Sequence, residues 1–136
     1  MKRTLSALFL SVLLLPAAAT AQSTGEIEYM NSCASCHGAS GTGDGPLAGF
    51  LSGSLPDLTQ LAANNNGVFP VTKVYSTIDG TMTTGPHGTG EMPVWGNRYR
   101  VRGEQLANPD FNTDEAMVFA RFRILALTEY LAGIQQ

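Results

Sequence analysis

The chain has 136 residues, 14% of them charged, and a formal net charge of −3. That length suits one small domain, and an acidic balance argues against nucleic acid as a partner, because neutralising phosphates requires basic residues. A core this small gains from a disulfide, metal or cofactor, yet the chain has only two cysteines, Cys33 and Cys36.

Residues 1–21 read as a secretory signal. Lys2 and Arg3 form a basic start, Leu5–Leu15 is an apolar run of 11 residues, Pro16 breaks it, and Ala19-Thr20-Ala21 supplies small residues before a cut ahead of Gln22. The run is shorter than the ~20 residues that span a bilayer, so cleavage with no stable membrane insertion afterwards is expected, and an uncleaved anchor is the competing reading. No cysteine lies near the cut, which disfavours a lipid anchor. The domain expected to remain is 22–136, with 6 basic against 11 acidic residues.

Gly25–Cys36 is predicted as a short helix, with Glu26 and Glu28 in a first turn where the helix dipole favours them. His37–Gly53 contains six glycines and Pro46, too many for a regular element. It is expected to be a loop, with one helical turn at most around Leu47–Leu51. Pro56-Asp57-Leu58-Thr59 opens a short element running towards Ala63, and Asn64-Asn65-Asn66-Gly67 ends it. Pro70 opens a helix over Val71–Asp79 that places Val74 and Ile78 on one face and stops at Gly80. Thr81–Gly90 reads as an exposed loop, and Arg98–Arg102 as a short extended piece. The last helix is predicted over Asp114–Ala132, capped by Asn112 or Thr113. Met117, Ala120, Ile124, Leu127, Leu131 and Ile134 recur there at helical spacing.

The chemistry concentrates in Cys33-Ala34-Ser35-Cys36-His37, which matches Cys-x-x-Cys-His, the attachment motif for c-type haem. Two thiols on one turn can each add to a vinyl group on one porphyrin edge, while the adjacent His37 projects its imidazole onto the iron. A dithiol redox site, a zinc site using Cys33, Cys36, His37 and His87, and a structural disulfide compete with that reading. The glycine-rich surroundings, the single cysteine pair and the export signal favour haem, since haem of this type is attached after export.

The iron face opposite His37 can take Met, His or no protein ligand. Met30, Met82, Met92 and Met117 are the methionines of 22–136. Met92 stands out in Gly90-Glu91-Met92-Pro93-Val94-Trp95-Gly96, because Pro93 restricts the backbone that presents its thioether. His87 is the competing ligand, set among glycines in a loop expected to face solvent.

Together these residues resemble the class I c-type cytochromes of the bacterial mono-haem kind, over nearly all of Gly25–Ile134. The resemblance implies an all-α cytochrome c fold, with N- and C-terminal helices crossing and long loops around one haem. Gly25 and Tyr29 correspond to the glycine and aromatic of that crossing, with Leu127 and Tyr130-Leu131 as partners. Pro56-Asp57-Leu58 resembles the family's Pro-x-Leu, which implies that the Pro56 carbonyl accepts the His37 Nδ1 proton and that Leu58 covers the porphyrin edge. The glycine-rich stretch before Pro56 and the Thr81–Gly90 loop depart from the smallest members. Trp95 and Arg98 are candidates for donation to a haem propionate. Arg100 and Arg102 beside them form either a docking surface or a solvated segment.

The function expected is single-electron transfer in the periplasm by one covalently bound haem c with His37 and Met92 on its iron, without catalysis of its own. Redox proteins would be its partners: a membrane reductase, an oxidase or a periplasmic dehydrogenase. A haem-based sensor or ligand-binding protein, or an electron-transfer subunit of a larger enzyme, are the competing expectations.

Overall fold

The computed structural model describes residues 22–51, 53–81, 95–106 and 113–136. The expected export segment, Met82, His87, Met92 and Asn112 lie outside the described residues. Helices and turns account for the regular structure, and among the described residues there is no strand. None of the described helices is long and apolar enough to cross a membrane.

Helix α1, Thr24–Ser32, starts where Ser23 accepts the Glu26 N–H at 3.1 Å, the Ser-x-x-Glu pattern of a helix start. It ends at Cys33, and a separate single turn, α2 at Ala34–His37, follows. The predicted continuous helix over Gly25–Cys36 is therefore interrupted. At Cys33 the backbone turns to φ −118°, and the carbonyls of Ser35, Cys36 and His37 are taken by the following loop. Glu28 also departs from expectation. It lies beyond the first turn and is buried, so a side-chain partner rather than the helix dipole accounts for it.

A 3₁₀ turn at Ala48–Phe50 fills the position predicted for one helical turn. The element begun by Pro56 resolves into two more, Leu58–Gln60 and Ala63–Asn65. Asp57 starts the first by accepting from both the N–H and the hydroxyl of Thr59, at 2.8 and 2.6 Å. The second stops as expected, on left-handed Asn66 and Gly67. The C-terminus secures this segment. Gln135 donates to the Leu58 carbonyl and accepts from the Ala62 N–H, both at 2.8 Å.

Helix α3, Val71–Asp79, has the predicted bounds, buries Val74 and Ile78, and ends on left-handed Gly80. Helix α5, Thr113–Gly133, matches the predicted last helix within a residue at either end. Ala120, Ile124, Leu127 and Leu131 are buried as the spacing requires, and Ala116 joins them. Met117 and Ile134 are half-buried at the margins.

The piece expected to be extended at Arg98–Arg102 is instead the centre of helix α4, Trp95–Leu106. Trp95, Tyr99 and Gly103, four residues apart, form its buried face, while Arg98, Val101 and Arg102 are exposed. Gly96 lets α4 approach α3, since a Cβ there would lie 2.6 Å from the Asp79 carbonyl oxygen. Arg100 reaches back to the Asp79 carboxylate at 3.6 Å. Helix α4 packs along α5 where Gly103 meets Ala116, and α1 crosses α5 at Gly25. Tyr29, Tyr99, Ile124 and Leu127 are the largest fully buried side chains and form the centre of the core.

Candidate functional site

The site is built on the turn that follows α1. Cys36 and His37 both donate their N–H to the Cys33 carbonyl, at 3.1 and 2.9 Å, which wraps the pentapeptide into one tight turn. The glycine-rich loop then folds back along it. Gly43, Gly45 and Leu47 donate to the carbonyls of His37, Cys36 and Ser35 at 2.8, 3.1 and 2.9 Å. Only glycine at position 45 permits this approach, because a Cβ would lie within 2.6 Å of the Ser35 carbonyl oxygen and closer still to that of Cys36. Left-handed Gly38 closes the turn, and the Tyr29 hydroxyl donates to its carbonyl at 2.7 Å. Tyr29 packs on Tyr130 with ring centroids 5.1 Å apart, so the α1–α5 crossing supports the end of the motif directly.

Cys33 and Cys36 are half-buried and not joined to each other, and His37 is 7% exposed. Burial first, then the charge of Glu28 and the neighbouring Cys36, push the Cys33 thiol up to about 12. An exchange-active dithiol needs the opposite, a depressed value that supplies thiolate. Among the described residues no group of three or more His, Cys, Asp or Glu side chains converges on one point to hold a metal ion. Two separate thiols and an imidazole spread over one turn suit a planar group bonded along an edge and ligated from one face. The residues present therefore fit a haem, with Cys33 and Cys36 to hold it and His37 to face its iron.

Leu58 is half-buried against the core, and its N–H donates to Gly41 at 2.7 Å, which ties it to the loop cradling the motif. Pro56 lies two residues away on the surface. Trp95 is buried at the start of α4 with the Tyr99 ring at 6.0 Å, and the exposed Arg98 guanidinium sits 5.0 Å over the Trp95 ring. None of the described hydrogen bonds, ion pairs or ring contacts of Trp95 and Arg98 reaches the pentapeptide. Met92 lies outside the described residues, three positions before α4 begins.

Sequence reasoning missed a polar cluster behind the motif. Glu28 is 3% exposed and its carboxylate accepts from Arg123 of α5 at 2.8 Å and from the Ser32 hydroxyl at 3.1 Å. The available signal was the pair Arg121 and Arg123, two charges between Ala120 and Ile124, of which Arg123 is the half-buried one.

Burial also holds the Tyr29 and Tyr99 phenols well above their ordinary value of 10.0, and the charge of Glu28 adds to it for the second. A group raised in the folded state contributes stability that is complete below its unfolded value and is lost as pH rises. The denaturant midpoint should thus be level to about pH 9 and fall steadily above about pH 10. Far-UV circular dichroism would follow it, and Tyr29→Phe should fall less steeply.

A sequence model of the family described as Cytochrome c matches residues 23–108, which takes in the pentapeptide, its cradle, α3 and α4. No curated protein and no solved structure matches the chain.

Proposed function

The chain belongs to the cytochrome c family, a haem-binding family of electron-transfer proteins, and we propose that it is a periplasmic single-electron carrier with His37 and Met92 as iron ligands. One covalently bound haem c is its cofactor. When bound, that group supplies a one-electron couple between ferric and ferrous iron, and the protein holds, orients and shields it. Cys33 and Cys36 anchor it, and the cradle of Gly43, Gly45 and Leu47 fixes the turn from which His37 presents its imidazole. In the proposed arrangement the Pro56 carbonyl orients His37 by accepting its Nδ1 proton, leaving Nε2 for iron. Leu58 covers the porphyrin edge, and Trp95 or Arg98 meets a propionate. The observation that carries this reading is the pentapeptide turn itself, with its unjoined thiols and buried histidine.

Export rests on the charge and apolar pattern of residues 1–21. The partners proposed are redox proteins, namely a membrane reductase, an oxidase or a periplasmic dehydrogenase, met through small transient contacts.

Two measurements test the proposal. Denaturing mass spectrometry of protein made with haem-attachment machinery should show one added haem mass, lost in Cys33→Ala/Cys36→Ala. The ferric protein should show the weak far-red sulfur-to-iron band, abolished in Met92→Ala. A missing haem mass would overturn the whole reading. A missing far-red band, with ready binding of carbon monoxide by the ferrous protein, would instead favour a haem-based sensor or ligand-binding role.

A further inference from the structure

The Glu28–Arg123 pair, with its carboxylate buried and its guanidinium half-buried, is not required by haem attachment, and it is a poor way to hold two helices together. Desolvating both charges offsets most of their attraction, so an apolar pair of similar volume would join α1 to α5 about as well. Its position suggests a different use. The carboxylate sits on the helix that leads into the motif, five residues before Cys33, and hydrogen-bonds Ser32, the residue adjoining Cys33. Its charge is felt at the Cys33 sulfur, where it is the second largest influence on the thiol after burial. The guanidinium approaches from the α5 side and lies 5.0 Å over the Phe119 ring.

We propose that the Glu28 carboxylate lowers the reduction potential of the haem bound at Cys33, and that Arg123 keeps its charge fixed while the electron passes. This rests on haem attachment at Cys33 and Cys36 as proposed above. The ferric state carries one more positive charge than the ferrous state, so a fixed buried anion favours the ferric side. A buried carboxylate without a counter-charge favours its neutral form, which would cancel this effect. Arg123 supplies that counter-charge at 2.8 Å. Among the described residues, the other side chains that interact with Glu28 are Ser32, Tyr99 and Cys33, and none of them carries a charge that could substitute. From α4, the buried Tyr99 phenol stays protonated through the neutral range, and Cys33, once bonded to haem, has no ionisable thiol.

The test is the midpoint potential of the haem-loaded full chain, by spectroelectrochemical titration from about pH 5 to about pH 8, a range covering buried carboxyls. Glu28→Gln should raise the potential at every pH. Arg123→Gln should make the potential fall with rising pH by up to one proton per electron. That slope should be absent from Glu28→Gln/Arg123→Gln, and Arg123→Lys should suppress it by restoring the positive charge. A purely structural pair would alter unfolding midpoints without producing a proton-linked slope that the double variant lacks. The proposal falls if Glu28→Gln leaves the potential unchanged, or if Arg123→Gln is no more pH-dependent than the double variant. Should Arg123→Gln fail to accumulate, the Glu28→Gln shift decides alone. Absence of haem from the wild-type chain would overturn the functional reading itself, and mass spectrometry separates that outcome from a potential that does not move.

Discussion

Gly25→Val should lower the unfolding midpoint sharply. A Cβ at Gly25 would overlap the Ala126 carbonyl oxygen and lie 2.8 Å from Tyr130 Cβ. The obstacle is the backbone of another helix, not the end of a side chain that could swing away. Two effects oppose each other. Replacing a helical glycine with alanine gains at most about 1 kcal/mol of propensity. Forcing atoms into a filled interior typically costs about 1–3 kcal/mol, and a rigid obstacle puts this site at or above the top of that range. The clash wins for Gly25→Ala, and the extra methyls of valine widen the gap. Separating α1 from α5 also exposes Tyr29, which is fully buried, and Leu127 beneath it. A net loss near 3 kcal/mol would lower Tm by roughly 10–20 °C for a domain of this size. Gly133→Ala is the control. No atom lies within 4 Å of a Cβ at that position on α5, so its midpoint should hold or rise slightly.

That crossing was readable because a glycine and an aromatic four residues apart, ahead of the cysteine pair, resemble a known helix contact. Helices α3 and α5 were readable for local reasons. Pro70 and Gly80 punctuate the first, and a long stripe from Ala120 to Leu131 marks the second. Helix α4 misled. Arg98, Tyr99, Arg100, Val101 and Arg102 alternate polar and apolar with the period of a strand. Gly96, Asn97 and Gly103 add the composition of a loop. What decides the matter is tertiary: Trp95, Tyr99 and Gly103 share a face that α5 covers, and Gly96 fits against Asp79. The turn that follows α1 was hidden for the same reason, since the loop that captures the carbonyls of Ser35, Cys36 and His37 lies later in the chain. At the site, the pentapeptide was legible because its chemistry is local. Glu28 was not, because its partner lies 95 residues away. Counted within α1 alone it looked like one more acidic residue near a helix start.

Gly45→Ala should damage the site itself and leave the helix crossing intact. The added methyl would overlap the carbonyls of Ser35 and Cys36, and the Gly45 N–H that donates to Cys36 would have to withdraw. Neither carbonyl can yield easily. That of Cys36 lies within the pentapeptide turn, and that of Ser35 is already held by Leu47. Relief must come from moving the loop, which also carries Gly43 away from the His37 carbonyl. Loss of two backbone hydrogen bonds with partly buried ends, at about 1 kcal/mol each, adds to a packing cost of about 1–3 kcal/mol. Together these rival the total stability of a marginal small domain. The expected result is a sharp fall in haem-loaded protein, with a weakened or broadened far-red band in whatever accumulates. Gly49→Ala, in the same loop, has nothing within 4 Å of the new methyl and should attach haem normally. If both variants load haem alike, the cradle is not what positions Cys36 and His37. If Gly45→Ala alone fails, glycine at position 45 reflects a close approach of backbone to the haem-binding turn, and not flexibility.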